Sequence, residues 1–319
     1  MKKIISLTII IVMLAAMLTG CDSGNDSNVY NIGIIQLATH DALDAATQGF
    51  MDALIAELGE ENVKFDLQNA AGDSNTCSTI VNSFVSNEVD LIMANATPAL
   101  QAAAAATKDI PILGTSVTEY GVALDLKGYN GTVGGNISGT SDLAPLEKQA
   151  EMLHEWFPDA KKVGLLYCSA EPNSQYQVDT IKVLLENMGY TCTMYSFADT
   201  NDLAAVTTTA AANSDVIYVP TDNTVATGSA IISPICLAAK VPVIAGEEGI
   251  CSGCGVATLS ISYYDLGYKT GEMAAKILKG EADISTMPVD YAETSTPKYN
   301  ADICQQLGLT PPEGYTPIG

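Results

Sequence analysis

The sequence predicts an α/β protein of two lobes, each a mostly parallel sheet wrapped by helices. Three observations predict it. Short apolar runs alternate with helically periodic segments along the chain, the signature of β-α-β units. The whole scheme then occurs a second time. Finally, the chain has 319 residues and is 47% apolar, about twice the ~150 residues of one domain and enough to fill a core in each lobe.

The first twenty residues stand outside this scheme. Lys2 and Lys3 precede an apolar run from Ile4 to Leu18, shorter than the ~20 residues a membrane span needs and suited to a signal peptide. It ends in Leu18-Thr19-Gly20-Cys21, which resembles a lipobox and marks Cys21 for lipidation. The polar residues Asp22 to Asn28 follow, so residues 21–29 read as a flexible tether. The mature protein is therefore expected outside the cytoplasm, held at the membrane by its N-terminus.

The folded part opens with a strand at 30–36, an unbroken apolar run of the kind buried in parallel sheets. A helix starts at Asp41, because Leu43, Ala46, Phe50, Leu54 and Leu58 recur every three or four residues, and Gly59 stops it. Strand 63–67, helix 75–87 and strand 90–94 follow. A further helix opens near Thr97-Pro98, where Pro suits the first turn. Strand 110–114 closes the first half. The second half runs as strand 162–167, helix 173–189, strand 191–196, helix 201–212, strand 215–219, helix 224–238 and strand 241–245. Ile32-Gly33-Ile34 matches Val163-Gly164-Leu165, Asp90-Leu91-Ile92 matches Asp215-Val216-Ile217, and Ile110-Pro111-Ile112 matches Val241-Pro242-Val243, at offsets of 131, 125 and 131 residues. Three matches in order point to two similar lobes. Beyond residue 250 the order changes: strand 255–261, helix 264–279, strand 287–291 and a last helix near 300–307. With a crossing at 132–138 this gives a three-segment hinge. The lobes are then 30–135 with 260–284, and 136–259 with 285–319.

Charge excludes whole classes of function. The chain carries 14 basic against 37 acidic residues, a net charge of -23. Every basic residue is Lys; the sequence contains no Arg. A phosphate-tracking nucleic-acid binder needs a cationic face, so nucleic acid is not an expected partner. Any bound carboxylate must be held without a guanidinium fork. Helix N-termini facing a cleft offer the substitute, through free N–H groups and the helix dipole. Cys251-Ser-Gly-Cys254 has the spacing of a redox or zinc motif. No second Cys or His pair accompanies it, and it reads as a structural loop that could carry a local disulfide. His40 and His154 are isolated. No P-loop, dinucleotide fingerprint or nucleophile elbow is present. Neither catalysis, a cofactor nor a metal is expected.

Several short motifs carry a resemblance. They are Ala42-Leu-Asp-Ala-Ala46 with Gly49-Phe50, Ala96-Thr-Pro-Ala99 and Asn136-Ile-Ser-Gly-Thr-Ser-Asp142. Glu171-Pro-Asn-Ser174, Val219-Pro-Thr-Asp-Asn223, and Leu266-Gly267 before Ile277-Leu-Lys-Gly280 continue the series. With the lipobox and the twin lobes, the chain resembles the substrate-binding lipoproteins of ABC transporters, and within them the tryptophan/tyrosine type. The resemblance implies a periplasmic-binding-protein type I fold. It also implies capture of an aromatic amino acid in the interlobe cleft, a membrane permease as partner, and action as a monomer. A surface receptor, or a binder of sugars or nucleosides, is the alternative reading. Where such proteins carry Val-Thr-Asp-Pro, this chain has Val117-Thr-Glu-Tyr120.

The residues place polar groups in such a cleft. Gln36 ends the first strand, and Thr97 lies just past the third. By the internal alignment Thr97 corresponds to Asp222, so the two are expected to face each other. The Thr97 hydroxyl, the Ala99 amide, and Asn173 or Ser174 at another helix start can donate to a carboxylate. Asp222 can accept an ammonium group. Thr140, Asn223 and Glu247 are further candidates. Tyr167, Tyr176 and Tyr218 could wall an aromatic ring or simply pack the core, and Trp156 reads as core or surface cover.

Overall fold

The computed structural model describes residues 29–292 and 294–318. The leader at 1–20, Cys21 and all of the tether but Val29 lie outside the described residues. The first sheet contains β1 (Tyr30–Gln36), β2 (Val63–Asn69), β3 (Leu91–Asn95), β4 (Ile112–Val117), β5 (Ile137–Ser141) and the short β11 (Asp290–Tyr291), in the order β11-β5-β4-β3-β1-β2. The second contains β6 (Lys162–Cys168), β7 (Thr191–Phe197), β8 (Val216–Val219), β9 (Val243–Ala245), β10 (Ala257–Ser260), β12 (Thr296–Tyr299) and β13 (Thr316–Pro317), in the order β13-β12-β10-β9-β8-β6-β7. The five leading strands of each half take the same places, 5-4-3-1-2 against 10-9-8-6-7. The internal matches read from the sequence therefore fall on topologically equivalent strands. All these ten strands pair in parallel within their sheets, and β12 joins β10 antiparallel.

Burial follows position in the sheet. Central β3 and β4 are buried at every residue, because helices cover both faces. Edge strands β2 and β7 are largely part-exposed, and their sequences mix polar and apolar residues accordingly. Helices α1 (Asp41–Leu58), α2 (Ser74–Ser86), α3 (Thr97–Ala106) and α4 (Tyr120–Ala123) follow strands of the first half. Next come α5 (Leu146–Trp156), α6 (Pro172–Asn187), α7 (Thr200–Asn213), α8 (Asn223–Ala239) and α9 (Glu248–Cys254) in the second half. Helix α10 (Tyr263–Leu278) returns to pack on α1 and the first sheet, and α11 (Ala301–Leu307) returns to the second lobe. Phe50 and Phe84 are fully buried in the first lobe, each stabilising it by about 2–3 kcal/mol. In the second, Tyr218 is fully buried, and its hydroxyl donates to the Gln149 side chain. Trp156 closes that core edge-on to Tyr315, ring centres 5.4 Å apart. Tyr167 and Tyr218 are thus core residues.

Pairing corrects the lobe boundaries read from the sequence. Residues 137–141 pair with β4 and extend the first sheet, although the sequence boundary at 135/136 assigned them to the second lobe. Residues 290–291 likewise pair with β5 and not with the second lobe. The crossings are therefore from β5 to α5, from β10 to α10 and from β11 to β12, and the expected crossing at 132–138 lies too early. A small apolar cluster of Ala42, Ala46, Ala144, Ile261, Tyr263 and Leu266 joins two of these crossings to the start of α1. A second correction concerns Cys251 and Cys254. They lie on helix α9, not in a loop, and both are free, buried thiols. Burial pushes both thiols well above their ordinary range, which leaves them inert as nucleophiles.

The α1–α10 seam explains two of the motifs. Gly49 and Gly267 let the two backbones touch: a Cβ on Gly267 would enter the van der Waals shell of the Ala46 carbonyl oxygen, and one on Gly49 that of Tyr264. Gly271 sits one turn further, its would-be Cβ 2.6 Å from the Phe50 carbonyl oxygen. Gly267→Ala is therefore expected to force the helices apart and lower stability by about 1–3 kcal/mol. Urea unfolding measures this, and wild-type stability in the variant would refute the seam.

Candidate ligand site between the lobes

The carboxyl ends of the strands in both sheets face one another. Between them lies a cleft of about 700 Å³, lined by Leu37, Ala38 and Pro98 from the first lobe and by Glu171, Asn223 and Thr224 from the second, among others. In a sheet of this order the succession of strands switches direction between β1 and β3, and ligands bind outside the carboxyl ends at such a point. One side-chain contact spans the cleft: His40, at the start of α1, lies 3.2 Å from Asn223 Oδ1 through its Nε2. His40, isolated in the sequence, is thus an interlobe residue, and burial lowers its pKa.

Helix α3 supplies the donor side. Thr97 is 2% exposed, and its hydroxyl makes no hydrogen bond to another described residue. Pro98 occupies the first turn, so the Thr97 and Ala99 amides stand at a helix N-terminus. The preceding residue, Ala96, is held at φ 92° and ψ 158°, a conformation that L side chains rarely adopt. Such backbone strain costs roughly 1–3 kcal/mol and persists where the surroundings fix a functional geometry.

Other sequence candidates are already engaged inside the protein. Gln36 Oε1 accepts from the Thr47 hydroxyl at 2.6 Å, and its Nε2 donates to the Ala38 carbonyl at 2.7 Å and to Asp44 Oδ1 at 2.5 Å. Thr140 is fully buried, its hydroxyl 2.8 Å from that of Thr270 and 3.2 Å from that of Thr115. It sits between the sheet and α10. Asp222 caps α8: Oδ1 accepts the Val225 N–H at 2.9 Å, and Oδ2 accepts the Cys168 N–H at 2.7 Å. Burial, then the neighbouring Glu171, raises its pKa, which the two amides and the Ser174 hydroxyl oppose. Asn223 donates its amide to Glu171 Oε2 at 2.7 Å, leaving its carbonyl for His40. Glu247 caps α9 through the Gly249 and Ile250 amides. Its pKa is pushed up to about 7 by burial. Thr97 and Asp222 stand at equivalent strand ends, but their neighbours Pro98 and Asn223 line the cleft, and both Asp222 oxygens turn to main-chain amides.

What remains is a short set of buried polar atoms with no hydrogen-bond partner among the described residues. Asn95 Oδ1, Ser116 Oγ, Asp142 Oδ1 and Asn173 Oδ1 belong to it, and all four lie at or just past the carboxyl ends of β3, β4 and β5 or at the start of α6. Buried acceptors of this kind are rare and costly. Asp142 stands out. It is 3% exposed and follows β5 at a hinge crossing. Its Oδ2 accepts the Tyr263 hydroxyl at 2.9 Å, while Oδ1 is unpartnered. Burial raises its pKa, against the opposing pull of the Tyr263 and Thr118 hydroxyls. Its charge also bears on Glu247. Neither acid takes part in an ion pair among the described residues; the pairs that exist use part-exposed Lys on the surface. Asn173 Nδ2 donates to the Thr221 carbonyl at 3.3 Å, the Thr221 side chain lies beside the Tyr263 phenol, and the Tyr263 hydroxyl donates to Asp142. Sequence reading quoted Asp142 within a motif but gave it no role, and it did not single out Tyr263. What separates Asp142 from the other buried acids is its unpartnered oxygen, and what separates Tyr263 from the other buried tyrosines is its bond to that acid.

Comparison with known proteins fits this geometry. The family model for ABC transporter substrate binding protein matches residues 31–315. A tyrosine-binding protein of Clostridioides difficile strain R20291 is 37% identical over 325 aligned positions, covering 97% of this chain and 93% of that protein. A crystal structure from Streptococcus pneumonia of an ABC domain in complex with L-Trp superposes with a TM-score of 0.86 at 34% identity, covering 91% of this chain and 99% of that one. The ligand-free, open structure of a substrate binding protein with adhesive properties from Clostridium difficile is 40% identical over the same coverage, yet its TM-score is 0.70. The lobes are thus arranged more as in the L-Trp complex than as in the open relative. Glucose-galactose binding protein from Geobacillus stearothermophilus, at 12% identity and a TM-score of 0.61, shares the fold alone. With its twin parallel sheets, interlobe cleft and full-length match, the chain belongs to the ABC transporter substrate binding protein family and has the periplasmic-binding-protein type I fold.

Proposed function

We propose that this protein captures an aromatic amino acid between its lobes and delivers it to the permease of an ABC importer. The observation that carries the amino-acid reading is Asp142: a buried carboxylate with one unpartnered oxygen, in a cluster of acids without a cation. A buried charge needs a partner, and the α-ammonium group of a ligand is one. Asn173 Oδ1 is a second acceptor for the same group. The Thr97 hydroxyl and the amides at the start of α3 take the carboxylate, as the absence of Arg requires. Asp222, Glu247 and Ser174 shape the second wall through the helix starts they hold. The aromatic preference is supported by the relatives, one a tyrosine-binding protein and one complexed with L-Trp. The leader and Cys21 support a lipid anchor on the outer face of the membrane, where the protein acts as a monomer in this reading. Binding and delivery, without chemical turnover, is the role this arrangement serves.

A thermal-shift screen of the twenty amino acids tests the reading. L-Trp, L-Tyr or L-Phe should raise the melting temperature by mass action, about 2.7 kcal/mol of added stability at a hundredfold excess over Kd. Response to sugars or nucleosides and not to these would overturn it. Asp142→Asn should weaken amino-acid binding by roughly thirtyfold or more, the cost of breaking a buried charge pair, as titration calorimetry would read.

A pH dependence follows from Glu247. Its folded-state pKa of about 7 lies above that of an unfolded Glu. The native state therefore holds its proton longer, and the ligand-free protein should lose stability as pH rises from about 4.5 to about 7. Asp142, shifted in the same direction, adds to the slope. Glu247→Gln should flatten the profile, measured as urea-unfolding free energy at several pH values. An unchanged slope in the variant would remove Glu247 as its source.

A further inference from the structure

Resting on the assignment of Asp142 as the ammonium acceptor, we propose that Tyr263 is the positioning residue of this site: its hydroxyl holds one oxygen of Asp142 and thereby aims the other at the ligand, tying the acceptor to the hinge. Tyr263 opens α10 immediately after the crossing from β10, while Asp142 begins the crossing from β5 to α5. Their 2.9 Å hydrogen bond therefore joins two of the three hinge segments. The second lobe enters the same junction through Thr221, from the loop between β8 and α8, whose side chain lies beside the phenol and donates to the Gly246 carbonyl at 3.4 Å. The Tyr263 ring is 7% exposed and fixed by Ala42, Ala144 and Leu266 of the hinge cluster. A phenol so clamped has one use for its proton, which is Asp142 Oδ2. That bond leaves Oδ1 as the oxygen free to accept.

The phenol also sets when Asp142 ionises. The groups facing this carboxyl are the Tyr263 and Thr118 hydroxyls, which favour the anion, and Glu247 and Tyr120, which do not donate to it. The Tyr120 hydroxyl is turned instead to the Thr140 carbonyl at 3.0 Å. Removing the Tyr263 hydroxyl takes away one of two favourable donors in a buried setting, so Asp142 should then ionise only at higher pH.

Calorimetric titration of the full mature chain with L-tryptophan, from pH 5.5 to 8.5, tests the proposal on three proteins. Tyr263→Phe should weaken binding about tenfold near neutral pH, as expected for a lost hydrogen bond to a charged group. The deficit should shrink as pH rises, because the less stabilised acid ionises later. Asp142→Asn should bind weakly at every pH. Thr221→Val, which changes the polar neighbour of the phenol without removing the phenol, should move in the same direction as Tyr263→Phe by a smaller factor, and it carries the test if the Phe variant does not fold. Wild-type affinity and pH profile in Tyr263→Phe, with Asp142→Asn impaired, would overturn the positioning role. So would a uniform loss at all pH values, which would mark the tyrosine as merely structural. Wild-type affinity in Asp142→Asn would instead overturn the assignment of the acceptor, and absence of any amino-acid binding by the unmodified chain would overturn the functional reading beneath both.

Discussion

A carboxylate removed from water must be paired, hydrogen-bonded or protonated, and this protein buries several with no basic residue to meet them. Asp142, Glu171, Asp222 and Glu247 are all at most 5% exposed. Three of the four resolve the problem with main-chain amides. Asp222 and Glu247 cap helices, and Glu171 accepts the Asn223 and Thr224 amides together with three side-chain donors. Helix N-termini here neutralise acids as other proteins use Arg. Asp142 is the exception, because it sits in a crossing segment and no helix start points at it. The Tyr263 hydroxyl donates to one of its oxygens and leaves the other open.

The scaffold makes the arrangement durable. Glycines at 49, 267 and 271 bring α1 and α10 to backbone contact. The first lobe thereby holds the residue that opens the second hinge crossing, since Tyr263 begins the same helix whose Gly267 lies against Ala46. Displacing the seam would therefore move the phenol and the Asp142 oxygen it holds. Packing and binding share one helix, which is why the motifs around Gly49 and Leu266-Gly267 report on the site even though none of these residues touches the cleft.

The sequence made most of the fold legible because parallel strands covered on both faces are written as continuous apolar runs. Tyr30 to Gln36 and Lys162 to Cys168 needed no tertiary knowledge. Strand β5 was illegible as a member of the first sheet for a physical reason: Ile-Ser-Gly-Thr-Ser has one apolar residue, and its burial comes from α10, a helix more than a hundred residues away. Two-residue β11 carries no pattern at all. The site divided in the same way. Helix starts such as Thr97-Pro98 were visible as local grammar, and the structure places Thr97 with an unengaged hydroxyl. Asp222 looked like a ligand acceptor because it follows a strand, but the same position is where a capping carboxylate belongs, and both its oxygens cap or brace main chain. Asp142 looked like any acid in a hinge. Its distinction is a buried oxygen left unpartnered, and this is a property of the assembled lobes.

These facts converge on selectivity by charge type. A ligand that brought a second carboxylate to Asp142 would add to Glu247 and Asp222 a charge that nothing nearby could neutralise. One that brought no cation would leave Asp142 to its raised pKa and to protonation. On the proposed reading a zwitterion would satisfy both ends at once, its carboxylate on hydroxyl and amides at α3, its ammonium on the orphaned oxygen. The absence of Arg suits the same reading, because a guanidinium in the cleft would pair with these acids directly and remove the deficit proposed to recognise the ligand.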